Sequence, residues 1–163
     1  AVLASRRISG AIGRTLVAHR AAGYNHLIVH ESGEMYSIEV SATRFEILHG
    51  TDGYSVHTNH YLSETMKGIE SDPEELISSR VRYFRASRLL RENSAHTIKS
   101  LQVIQKDHVN LPNSICNHAI EGTDPLDREK TISGLVTDLT AREMHICWGN
   151  PCQNSFHTYH LDA

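Results

Sequence analysis

A chain of 163 residues with 39% hydrophobic content is long enough to bury the core of one domain. A formal charge of −3, with basic and acidic residues interspersed, leaves no positive stripe to neutralise phosphates and argues against a nucleic-acid partner. No apolar run approaches the ~20 residues that a membrane span requires, so the chain reads as soluble, with no membrane partner. Three cysteines, Cys116, Cys147 and Cys152, leave at least one unpaired, which points to a reducing compartment and favours the cytoplasm. The chain opens at Ala1 without a methionine, which suggests a processed product or a fragment.

In chain order, Ile12, Leu16 and His19 repeat at helical spacing between Ser9 and His19, before a stop at Gly23-Tyr24-Asn25. His26 to His30 and Met35 to Val40 are strand-like runs flanking the polar turn Glu31-Ser32-Gly33-Glu34, a predicted hairpin. Phe45 to Leu48 and Tyr54 to Val56 flank Thr51-Asp52-Gly53, whose Asp-Gly pair tolerates positive φ; a third and a fourth strand are predicted there. His57 to His60 then fall just beyond a strand end.

Asp72-Pro73-Glu74-Glu75 combines a capping Asp, a proline at the first helical position and acids at the positive helix end. Behind it Ile77, Val81 and Phe84 predict a helix from about Pro73 to Glu92. Ile98, Leu101 and Ile104 mark a shorter helix that stops near Asp107-His108, ahead of Pro112. Thr131 to Leu139, Met144 to Trp148 and Phe156 to Leu161 are the remaining predicted strands. Helices, a strand block, central helices and a second strand block make an α+β chain, and no repeat or linker splits residues 1–163 into separate domains.

Three patterns carry chemical interest: Val56-His57-Thr58-Asn59-His60, the helical Ser79-x-x-Arg82-x-x-Arg85-x-x-x-Leu89-Leu90, and Asp107-His108 followed by Pro112-x-Ser114-Ile115-Cys116. In their order and spacing they resemble the penicillin acyltransferase family of N-terminal nucleophile hydrolases, the group centred on acyl-coenzyme A:6-aminopenicillanic acid acyltransferase. Glu39-Val40-Ser41 and Gly149-x-Pro151-Cys152 extend the resemblance over nearly the whole chain. It implies antiparallel sheets with helices outside, part of an αββα sandwich, and a precursor that cleaves itself before a cysteine. That cysteine supplies the thiol, and its free α-amine, titrating near about pH 8, accepts the thiol proton. No such residue is visible here, so the resemblance places this chain in the C-terminal part, with its nucleophile on an absent N-terminal segment or subunit.

By the same resemblance, Asn59 is the oxyanion-stabilising amide, Ser41 is linked to precursor processing, and Arg128 lies near the substrate mouth. The implied substrate is a small-molecule amide or an acyl-CoA, with no cofactor. Asn117 stands where the family often carries an arginine after Ser-Ile-Cys, and Asp127-Arg128-Glu129 is more acidic than the family pattern suggests. The competing readings are plainer. Asn59 and Ser41 suit turns, Arg82 and Arg85 suit a solvated or carboxylate-paired helix face, Arg128 suits a local ion pair, and Cys116 suits a buried small hydrophobe. His57 with His60, and His157 with His160, are spaced i,i+3 without a third ligand at motif spacing, which predicts no metal. An alternative function is a non-catalytic module that oligomerises to cover an exposed sheet.

Overall fold

The computed structural model describes residues 2–17, 20–50, 52–70, 76–124 and 128–161. The predicted contributions of His19, Thr51, the Asp72-Pro73-Glu74-Glu75 cap and Asp127 lie outside those residues. The chain is α+β and divides into two compact units, Ala1–Leu76 and Ile77–Ala163. Among the described residues no helix is long and apolar enough to cross a membrane.

The first unit begins with a short 3₁₀ turn, Val2–Ala4, and helix α1, Ile8–Thr15, which buries Ala11 and Thr15. A three-stranded antiparallel meander follows: β1 (Tyr24–Val29), β2 (Met35–Val40) and β3 (Phe45–His49), in the order β1-β2-β3. The β1–β2 turn closes where the His30 amide donates to the Glu34 carbonyl at 3.0 Å. Central strand β2 is the buried one. Its last four residues, Ser37, Ile38, Glu39 and Val40, are buried on both faces, so the carboxylate at Glu39 needs internal donors.

Gly53 takes the expected positive φ, 77°, yet Tyr54 to Val56 do not become a fourth strand. Among the described residues strand β3 pairs only with β2, and a three-residue run has few ladder bonds with which to hold an edge. The chain instead runs through 54–62 as an irregular segment into a single helical turn, α2 (Glu64–Lys67). Ser63 caps that turn by accepting from the Met66 amide at 3.2 Å, and Met66 is fully buried.

The second unit holds α3 (Ile77–Arg91), α4 (Ile98–Ile104) and a second antiparallel meander, β4 (Ser133–Asp138), β5 (Glu143–Trp148) and β6 (His157–His160). Helix α4 starts on a capping box in which Thr97 Oγ1 accepts from the Ser100 amide at 3.1 Å and Ser100 Oγ accepts from the Thr97 amide at 2.8 Å. Strand pairing sets Gly134 opposite Cys147 and Val136 opposite His145, and these four residues form the buried face. Gly134 is needed there. A Cβ at that position would run into Gln105, Pro151 and Phe156, where the end of α4 and the β5–β6 turn come close to the strand.

The apolar spacing in α3 does not mark its buried face. Ile77 is 57% and Phe84 68% exposed, and the one fully buried side chain of the helix is Ser79. Five arginines, Arg80, Arg82, Arg85, Arg88 and Arg91, share the helix, so its orientation follows from where the guanidinium groups find partners as well as from apolar burial.

Candidate functional site

In the first unit, chemistry is organised by Glu39. Its carboxylate, fully buried on the central strand, accepts from the Leu62 amide at 2.6 Å, from His57 Nε2 at 2.7 Å and from the Ser63 amide at 3.1 Å. Burial alone raises a carboxyl pKa. Here the His57 bond and the two backbone amides outweigh that cost, and Glu39 is held below the ordinary carboxylate value. His57 Nδ1 lies 2.6 Å from the Thr58 carbonyl, so both ring nitrogens face acceptors. One carboxylate thus fixes both ends of the segment 57–63.

That segment carries Asn59. It forms part of the wall of a cleft of about 580 Å³, together with His57, Thr58, His60, Tyr61 and Glu70, a size suited to a small molecule. Asn59 is exposed, whereas His60 beside it is buried with Nδ1 3.1 Å from Thr58 Oγ1. Tyr61 braces the floor: its amide donates to Glu70 at 2.8 Å and its hydroxyl to the Val40 carbonyl at 3.0 Å. Burial, then the nearby Glu39 and Glu70 carboxylates, push the Tyr61 phenol up, keeping it a neutral donor. The result is an amide side chain on a segment anchored at both ends, the arrangement a preorganised oxyanion donor requires. No cysteine lies on the described walls of this cleft.

Ser41 is not on the cleft wall. It closes the β2–β3 turn, where its Oγ accepts from the Arg44 amide at 2.9 Å and its amide donates to the Arg44 carbonyl at 2.8 Å. The Ser41 carbonyl also accepts from Arg20 Nε at 2.7 Å. Arg128, in the second unit, donates from Nε to the Thr123 carbonyl at 2.8 Å and lines a cavity of about 160 Å³ with Asn117 and His118. Asn117 Oδ1 is buried without a hydrogen-bond partner among the described residues.

Of the two helical arginines, Arg85 is paired with a carboxylate: Nε and Nη2 reach Asp107 Oδ1 and Oδ2 at 3.0 and 2.6 Å. The Asp107 carbonyl accepts from the Cys116 amide at 3.0 Å, and Ser114 Oγ donates to the Cys116 carbonyl at 2.7 Å. These bonds fold Asp107-His108 and Ser114-Ile115-Cys116, which the sequence set apart as one pattern, into a single knot.

The knot gathers four side chains that sequence reasoning did not connect. His108, Cys116, His118 and Cys152 bring one ligand atom each within 4.8 Å of one another. His108 Nε2 and His118 Nε2 are 3.0 Å apart, Cys152 Sγ and Cys116 Sγ lie 3.2 and 3.8 Å from His118 Nε2, and the two sulfurs are 3.6 Å apart. All three cysteines are free thiols; Cys116 is fully buried, as its apolar setting suggested. Burial, then the neighbouring Cys116, push the Cys152 thiol up.

The histidine pairs weighed from spacing behave differently. His57 and His60 are engaged with Glu39 and Thr58, and His157 and His160 stand on exposed strand β6. Spacings of eight, two and thirty-four along the chain from His108 to Cys152 match no short metal motif, so only the tertiary fold exposes the gathering. The one usable signal was the recurrence of Cys and His within the third pattern.

Comparison with curated proteins finds none that matches the chain. A family model described as acyl-coenzyme A:6-aminopenicillanic acid acyl-transferase matches residues 1–153, nearly the full length, and the chain therefore belongs to that family.

Proposed function

We propose that this chain is the C-terminal part of a cysteine N-terminal nucleophile acyltransferase or amide hydrolase. On this reading residues 1–163 are one domain that contributes to an αββα sandwich. The observation that carries the proposal is Asn59 on the cleft wall, in a segment pinned by Glu39 at both ends. Asn59 stabilises the oxyanion formed when a thiolate attacks the carbonyl of an amide or an acyl-CoA, and the cysteine comes from sequence outside the chain. Ser41, in the turn beside Val40, serves precursor processing, and Arg128 meets the substrate. The three free thiols suit a reducing compartment such as the cytoplasm.

The test is to express the chain together with the sequence that precedes it in its gene, supply amide and acyl-CoA substrates, and locate the trapped acyl group by peptide mass spectrometry. The proposal predicts an adduct on a cysteine that becomes N-terminal after cleavage. An adduct on Cys116 or Cys152 overturns it.

A second reading has one observation in its favour. The face of the second sheet opposite Val136 and Cys147 carries Leu135, Trp148 and Tyr159, which are 51%, 67% and 49% exposed. A non-catalytic module would cover such a face by oligomerising. Light scattering on the isolated chain separates the two, since the module predicts a stable oligomer and is refuted by a well-behaved monomer.

A further inference from the structure

Without an ion, the four-residue knot in the second unit has an awkward hydrogen-bond inventory. A neutral imidazole nitrogen carries either a proton or one lone pair. If His118 Nε2 accepts, it has one lone pair facing the His108 ring nitrogen at 3.0 Å and thiols at 3.2 and 3.8 Å. If it donates, the sulfurs are weak acceptors and His108 is left to offer a lone pair. A single cation at the centre satisfies all four atoms together.

Four of the six ligand-atom separations lie close to tetrahedral edges, and all six are within 4.8 Å. Zinc bonds of about 2.3 Å to sulfur and about 2.0 to 2.1 Å to nitrogen imply edges of about 3.8 Å between sulfurs, 3.5 Å between sulfur and nitrogen and 3.3 Å between nitrogens. The corresponding separations are 3.6 Å between sulfurs, 3.2 and 3.8 Å between sulfur and nitrogen, and 3.0 Å between nitrogens. Hydrogen bonds around the knot also hold its ligands in place. Asn150 Nδ2 lies 3.5 Å from Cys116 Sγ while donating to the Asn117 carbonyl at 2.7 Å, and the Arg85–Asp107 pair holds the residue that precedes His108.

We propose that His108, Cys116, His118 and Cys152 form a structural Cys₂His₂ zinc site. Two thiolates and two imidazoles in a tetrahedron select zinc over the hard, oxygen-seeking cations, and four protein ligands leave no open position for substrate. The ion ties the segment after α4, the Ser114–His118 loop and the turn after β5 into one unit. Those connections have little regular structure of their own, and metal binding supplies folding energy in such places. A Cys116–Cys152 disulfide and a Cys152–His118 nucleophile pair are the alternatives that the same atoms allow.

The test is metal analysis of the chain purified from zinc-supplemented cells in a non-chelating reductant, followed by cobalt(II) replacement. The expected result is one zinc per chain, and a cobalt form with the visible bands of a tetrahedral site plus sulfur-to-cobalt charge transfer. Cys152→Ser and His108→Asn lose the bound metal, whereas Cys147→Ser, which alters the buried thiol outside the knot, keeps it. Asn150→Ala retains a metal but binds it about tenfold more weakly. Wild-type chain without metal and without a cobalt charge-transfer band overturns the proposal, whatever the folding of the variants. A wild-type mass lower by two hydrogen atoms, with peptides linked through Cys116 and Cys152, also overturns it in favour of the disulfide.

Discussion

The two units gather polar side chains in opposite ways. Around Glu39 the supply of donors matches the acceptors: one carboxylate, one imidazole and two backbone amides satisfy each other within hydrogen-bonding distance. Around His118 four potential metal ligands converge within 4.8 Å of one another. A self-satisfied cluster positions its neighbours and needs nothing further, which is how Asn59 acquires a fixed place on the cleft. A cluster of ligand atoms drawn together in this way suits the ion proposed above. Buried polar groups therefore indicate function most clearly when their partners are counted, not when the groups are merely located.

The sharpest way to break the first cluster is Glu39→Ala. It strands two backbone amides and the His57 ring, and the expected cost is about 3 to 5 kcal/mol, measured by urea unfolding. A cost under about 1 kcal/mol would mean that the segment is held by something else. Next in size is Gly134→Ala beside the second cluster. Its new Cβ would press on Pro151 and Phe156, at 2.9 and 3.1 Å, and should cost about 1 to 3 kcal/mol.

Acid separates Glu39 from its amide. Glu39 has a lowered pKa in the folded state, so the unfolded chain takes up its proton first as pH falls. The stabilisation is fully present above the ordinary value of 4.5 and is lost as pH falls through the lower folded value. Glu39→Gln should be less stable than wild type at neutral pH and should lose that part of the acid dependence, which paired unfolding curves at several pH values will read. The smallest effect expected is from Thr97→Ala, which removes one side of the α4 capping box at a cost of about 1 kcal/mol.

Much of the fold was legible because it is local. Strand β2 spans the predicted Met35 to Val40, and β4 and β5 lie within two residues of their expected bounds, since alternation and turn residues act over a few positions. Tyr54 to Val56 failed because strand formation depends on long-range pairing, and among the described residues the sheet is the three-stranded meander β1-β2-β3. The orientation of α3 failed because Ile77 and Phe84 satisfy a helical period but remain exposed, while Arg85 answers to Asp107, twenty-two residues away. The same distinction governs the sites. Asn59 belongs to a continuous pattern, so it could be singled out in advance; its anchor Glu39 lies twenty positions earlier in the chain, and no spacing rule links the two. Cys152 is farther still from His108, and only folding makes them neighbours.

The role proposed for Asn59 is read out by kcat and KM for Asn59→Ala in the enzyme completed by its preceding sequence. The account predicts a fall in kcat of about 10² to 10³-fold with KM little changed and with normal precursor cleavage. An unchanged kcat in a correctly cleaved and folded Asn59→Ala enzyme would contradict it.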